Sequence, residues 1–133
     1  MAKTRTGAII VIQRSNSLDF TIKENNRVHM KLMPQVLETI FFKNSPFHDG
    51  AIVIENNSII AARVVLPVSE SSILEPKYGL RHRAALGISE KTDALVIVIS
   101  EQTGKIVYVK NSEFYSYKNL IDLKENLIQD ISL

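Results

Sequence analysis

The chain has 133 residues, with 16 basic and 14 acidic side chains and a formal net charge of +2. Hydrophobic residues make up 45% and charged residues 23%, the composition of one globular domain large enough to bury a core. The near-neutral balance excludes a general nucleic-acid or membrane coat, and the lack of cysteine excludes disulfides and thiolate metal sites.

No apolar run approaches the ~18 residues of a membrane span. The apolar stretch Ala8–Ile12 is also too short for the h-region of a signal peptide, about 7–15 residues. These features together predict a soluble, cytoplasmic protein. Any anion binding must come from a local cluster.

Along the chain, strand and helix signals alternate. Residues 7–13, GAIIVIQ, form a continuous β-branched run that predicts a buried strand. Leu18–Ile22 reads as a short edge strand and Lys23–Arg27 as a solvated turn. His29 receives no role. Residues 33–43, MPQVLETIFFK, predict a helix: Pro34 suits its first turn, and Val36, Leu37, Ile40 and Phe41 share one face. NSPFHDG (44–50) is a loop. Two β-branched runs then flank Asn56-Asn57, a hairpin signal because Asn tolerates positive φ. Residues 67–79 form a loop with two prolines, followed by a short helix over 81–91.

ALVIVIS (94–100) and KIVYVKN (105–111) predict a second hairpin across EQTG. Residues 117–131 carry Leu120, Leu123, Leu127 and Ile131 on one stripe, an amphipathic closing helix. The expected architecture is five or six strands and three helices. The fold class is α/β of the α+β type: one domain over residues 1–133, with a mixed, mostly antiparallel sheet flanked by helices.

Four stretches carry candidate chemistry. In FHDGA (47–51), Asp49 and His48 precede a buried strand, and Gly50 lets a ligand approach the backbone. A carboxylate there can bind a metal or take a proton from a hydroxyl, although Asp-Gly is also ordinary turn chemistry. In GLRHR (79–83), Arg forks match phosphate oxygens, and a helix N-terminus favours anions. Cations at that end oppose the helix dipole, which points to an anion to receive. The alternative is that one Arg pairs with Glu90 or Glu101. Arg81 and Arg83 converge on one ligand only if Arg81 still lies in the loop. Ser100 and Glu101 end a buried strand, where α/β proteins place ligand contacts, although a plain hairpin turn is the simpler reading. Leu66 and Pro67 close another strand and can wall a base pocket or simply begin a loop.

HDGA (48–51), LPVSES (66–71) and RHRAALGISE with TDALVIVISEQTG (81–104) resemble the diadenylate cyclase domain, most closely its membrane-type members. RTGAIIVI (5–12) and LETIFFKNSPFHDGA (37–51) extend the likeness, which covers roughly residues 5–112. The resemblance implies condensation of two ATP into cyclic di-AMP and pyrophosphate. It implies a face-to-face homodimer with one ATP per domain, each 3′-hydroxyl attacking the other nucleotide's α-phosphate. It implies no nucleic-acid polymer as partner.

It also assigns roles. Asp49 polarises the 3′-hydroxyl or helps hold the metal. Gly50 and Ala51 let ribose and phosphates lie against the backbone. Arg81, His82 and Arg83 grip the β- and γ-phosphates. Leu66 contacts adenine through its backbone. Ser100 and Glu101 approach the phosphates, and His48, Asp49 and Glu101 are metal ligands. The metal is Mg²⁺ or Mn²⁺, hard ions suited to carboxylate, phosphate and imidazole.

Two departures stand out. Family members carry Thr before RHR, where this chain has Leu80. That loss of a hydroxyl supports an alternative, a weak or inactive relative that binds ATP or cyclic di-AMP. The membrane-type cyclases also begin with transmembrane helices. The expectation here is an excised catalytic domain, attached to a membrane only through segments outside this chain.

Overall fold

The computed structural model describes residues 7–33, 35–36, 50–70, 79–100, 105–117, 125–126 and 129–130. Strand β1 (Ala8–Ile12) is apolar at every position and almost wholly buried. A strand with that pattern belongs in the middle of a sheet covered on both faces. It pairs parallel with β3 (Ala51–Glu55) and antiparallel with β5 (Leu95–Ile99). The parallel pair requires a crossover, which the chain between β1 and β3 supplies, and β2 (Arg27–Lys31) forms within it.

The remaining strands are β4 (Ser58–Val64), β6 (Ile106–Lys110) and β7 (Glu113–Tyr117). The seven-stranded sheet runs β2-β4-β3-β1-β5-β6-β7, and every pair except β1–β3 is antiparallel. The mixed, mostly antiparallel sheet expected from sequence is present.

Alternation along each strand sends side chains to two cores. On one face Ile9, Val11, Val53, Val96 and Val98 meet Ala84, Ala85 and Ile88 of helix α1 (Leu80–Lys91). On the other, Ile10, Ile52, Ile54, Ile59 and Ile99 pack with Val28, Met30 and Val36. Helix α1 lies against β5 and β1. It stops at Thr92, whose N–H and hydroxyl both donate to Ile88 O, at 3.1 and 2.9 Å.

Several expectations are corrected. Leu18–Ile22 is a turn, not an edge strand: Ile22 N–H donates to Leu18 O at 3.1 Å, and both side chains are buried. Their four-residue spacing is that of one helical turn. The solvated turn at 23–27 is a 3₁₀ turn (Glu24–Asn26), and Arg27 already begins β2. The alternation of RVHMK is a period-two signal for a half-buried strand. Tyr117 ends β7 and does not open the closing helix.

Of that helix, residues 125–126 and 129–130 are helical, and the rest lies outside the described residues. Of the expected 33–43 helix, Met33, Gln35 and Val36 are described: Gln35 and Val36 are helical, and Met33 is not. Among the described residues no helix is long and apolar enough to cross a membrane.

Candidate functional site

The strand directions bring four sequence stretches to one edge of the sheet. The N-terminal ends of β1 and β3 and the C-terminal ends of β4 and β5 meet there, and α1 starts above them. Together they enclose a cavity of about 540 Å³, a size suited to a small-molecule ligand. Gly50, Leu66, Arg81, His82 and Ser100 line it, each a residue singled out from sequence. One wall is apolar, made by Ile9, Val64, Leu66 and Ala84. The other is the first turn of α1.

The position of Gly50 is over-determined. Its φ is +83°, and a Cβ there would lie 2.8 Å from the carbonyl carbon of Arg63. Only glycine meets both conditions without strain. Arg63 is itself left-handed, with φ of +58°. The register explains it: Ala51 faces Val64 and Val53 faces Ala61, so Ala62 and Arg63 together oppose Ile52. That is a β-bulge, placed where β4 turns toward the cavity. The Asn26 amide donates to Arg63 O at 3.2 Å and ties the 3₁₀ turn to the bulge.

Helix α1 begins at Gly79, which provides no side-chain cap, and its first turn holds no acidic residue. Its first backbone bond runs from Arg83 N–H to Gly79 O at 3.2 Å. The N–H groups of Leu80, Arg81 and His82 precede this bond, at the positive end of the helix. With Gly79, Leu80, Arg81 and His82 all lining the cavity, the positive end of the dipole faces it. His82 is half-buried and packs 6.1 Å from the Phe114 ring. Burial, and then the neighbouring Arg81 charge, hold its pKa below the ordinary 6.5. Both effects favour the neutral imidazole.

The apolar wall is fastened to α1 by backbone. Ser69 N–H donates to Arg83 O at 3.0 Å. A Cβ on Gly87 would sit 1.9 Å from Pro67 O, so the 66–69 segment and the helix touch through a glycine.

The structure separates the RHR residues. Arg81 lies inside the first helical turn, not in the loop, and it lines the cavity with His82. Arg83 is not among the lining residues, as expected for helical neighbours two apart. Ala51 is 1% exposed, its side chain belongs to the core, and it is not among the lining residues. His48, Asp49 and Glu101 lie outside the described residues. Among the described residues no group of three or more His, Cys, Asp or Glu is placed to hold a metal. Sequence reasoning missed Ile9 and Val64, which belong to runs it had assigned to strands.

The chain is similar to known proteins along most of its length. Residues 1–114 match the family model described as DisA bacterial checkpoint controller nucleotide-binding. The chain is 42% identical over 127 residues to the cyclic di-AMP synthase CdaA of Bacillus subtilis, covering 96% of this chain and 46% of that protein. It is 39% identical over 116 residues to the diadenylate cyclase CdaS of Bacillus thuringiensis, covering 87% and 58%. A double mutant of DacA from Staphylococcus aureus has a structure that matches with a TM-score of 0.89 at 35% identity, over 98% of this chain and 87% of that one. The chain spans about half the length of the curated relatives it matches.

Proposed function

The chain belongs to the DAC family, the DisA bacterial checkpoint controller nucleotide-binding family, and from that premise we propose that it is the catalytic domain of a cytoplasmic diadenylate cyclase. The observation that carries the reading is the cavity. It joins an apolar wall, suited to a purine, to a cationic helix start, suited to phosphate. Adenine lies against Leu66, and the triphosphate runs toward Arg81, His82 and the first N–H groups of α1.

Two domains, each holding one ATP, face each other. The 3′-oxygen of one ATP forms a bond to the α-phosphorus of the other. The bond from that phosphorus to the bridging α–β oxygen breaks, and pyrophosphate leaves. The 3′-hydroxyl proton goes to Asp49. Two such steps yield one cyclic di-AMP and two pyrophosphates. Phosphoryl transfer of this kind depends mainly on positioning and charge neutralisation, which Arg81 and the helix start supply for the leaving pyrophosphate. Arg83, which does not line the cavity, is proposed to grip the same phosphates from outside that lining.

A divalent ion, Mg²⁺ or Mn²⁺, fits the donor types available. The described lining offers no carboxylate. However, Asp49 is bonded to Gly50 and Glu101 to Ser100, two lining residues. His48, Asp49 and Glu101 would hold the ion together with phosphate oxygens, and it would neutralise charge on the triphosphate.

The test is incubation with ATP and Mn²⁺ or Mg²⁺, followed by chromatographic separation of nucleotides, with Asp49→Asn in parallel. Wild type should form cyclic di-AMP. Asp49→Asn should keep ATP binding and lose at least about 100-fold in turnover, the usual scale for a lost proton acceptor. Normal turnover by Asp49→Asn would remove that residue from the chemistry.

A second reading rests on Leu80, which is 73% exposed and lines the cavity mouth. A hydrophobic side chain at this helix start offers no hydroxyl to phosphate. ATP binding without product would make the domain a nucleotide-binding relative and no cyclase.

A further inference from the structure

Gly7 immediately precedes β1 and is buried. It has no place in the roles assigned above. Yet a Cβ built on it would lie 2.6 Å from Cζ of Arg81, 2.7 Å from Nη1 and 2.9 Å from Nη2. All three nearest atoms belong to one guanidinium. Arg81 therefore lies across the bare backbone at the start of β1, in space that any side chain at residue 7 would fill. Arg81 lines the cavity, and so does Ile9, two residues after Gly7.

We propose that Gly7 is a positioning residue, whose missing side chain fixes where the Arg81 guanidinium meets the nucleotide's phosphates. This rests on the nucleotide reading of the cavity. The contact differs in kind from the other close glycine contacts. Gly50 and Gly87 face backbone, which cannot yield. Gly7 faces the far end of a flexible side chain, which can. A methyl group at residue 7 should thus leave the fold intact and move the guanidinium. Because the planar fork binds phosphate through oriented N–H groups, a displacement of an ångström or two forfeits a charge-assisted bond.

The experiment is a double-mutant cycle on the 133-residue chain: wild type, Gly7→Ala, Arg81→Ala and the pair. ATP affinity is measured by calorimetry and stability by thermal unfolding. Gly7→Ala should unfold within a few degrees of wild type and bind ATP about 10-fold more weakly, the scale of one hydrogen bond to a charged group. In the Arg81→Ala background the same change should have no further effect. Equal weakening in both backgrounds, or no weakening in wild type, would overturn the proposal.

A second readout needs no nucleotide. The Arg81 Nε–Hε resonance, assigned by its loss in Arg81→Ala, should shift in Gly7→Ala. An unmoved resonance would also overturn the proposal. If wild type does not bind ATP, the nucleotide reading fails, while the resonance still decides whether Gly7 positions Arg81.

Discussion

The two faces of the sheet handle polar groups in opposite ways. On the α1 face, Arg81, His82 and the first N–H groups of the helix line an open cavity, and close contacts run through glycines. On the other face, polar groups close on one another. The Tyr108 side chain is completely buried, and its hydroxyl donates to Asp130 Oδ2 at 2.8 Å. Lys110 Nζ donates to both Asp130 oxygens at 3.0 Å. The rings of Tyr115 and Tyr117 pack against Tyr108, with centroids 6.5 and 6.3 Å away.

Both faces contain shifted titrating groups. Burial, and then the bond to Asp130, push the Tyr108 hydroxyl far up. Burial acts to raise Asp130, but the bonds from Tyr108 and Lys110 outweigh it and hold the carboxyl below its ordinary value. A shifted pKa alone thus does not distinguish a site from a lock. The open cavity beside His82 does, because its groups still face a space that a ligand can enter.

The largest expected effect breaks the cavity face. Gly87→Ala forces a methyl group to within 1.9 Å of Pro67 O, and neither backbone can give way locally. The helix and the 66–69 wall must separate. Overpacking of this kind costs about 3 kcal/mol or more. Urea unfolding should show the loss, and ATP binding should fall with it. A Gly87→Ala protein as stable as wild type would mean that the wall is not held by this contact.

The next change breaks only the opposite face. Asp130→Ala leaves the buried Tyr108 hydroxyl without its acceptor, at a cost of about 2 kcal/mol, and should leave ATP affinity unchanged. The pH dependence has a definite sign. Asp130 is held below the ordinary aspartate value of 3.8, so the folded state binds fewer protons than the unfolded chain in that window. Its contribution is complete above about pH 4 and disappears as pH falls through the folded value. Unfolding curves of wild type and Asp130→Ala should converge on acidification. A constant gap down to low pH would refute an ionised Asp130 as the anchor.

The same contrast decides what could be read from sequence. Continuous apolar strands such as β1 and β5 were plain because burial on both faces leaves no other residue choice. The candidate site was legible because its stretches carry chemically unusual residues at strand ends, and five of those residues line one cavity. Edge strands were not. In β2 the alternation was diluted by the polar KENN before it. Leu18 and Ile22 look like a strand only if their four-residue spacing is ignored. The division of work between Arg81 and Arg83 depends on where α1 begins, and Gly79 offers no side-chain cap to mark it. The contacts of Gly7 and Gly87 are tertiary and leave no local pattern.

β7 was missed for a reason that gives the smallest expected effect. The turn joining β6 to β7 is Asn111-Ser112, with φ of +50° and +64°. Two positive φ values fit the right-handed twist of a hairpin, and Asn-Gly is its usual sequence. With Ser at the second position, the turn signal is absent from the sequence although the geometry is present. Asn tolerates the left-handed region, whereas Ser adopts it at a cost. Ser112→Gly should therefore stabilise the protein, by about 0.5 kcal/mol after the greater freedom of glycine in the unfolded chain is subtracted. The bond from residue 112 N–H to Ser89 Oγ, 2.8 Å, uses backbone and survives the change. Asn111→Gly should gain less. Because this turn takes no part in the cavity lining, ATP affinity should stay constant in both variants while stability rises, so that gain and loss of stability are each tested apart from binding.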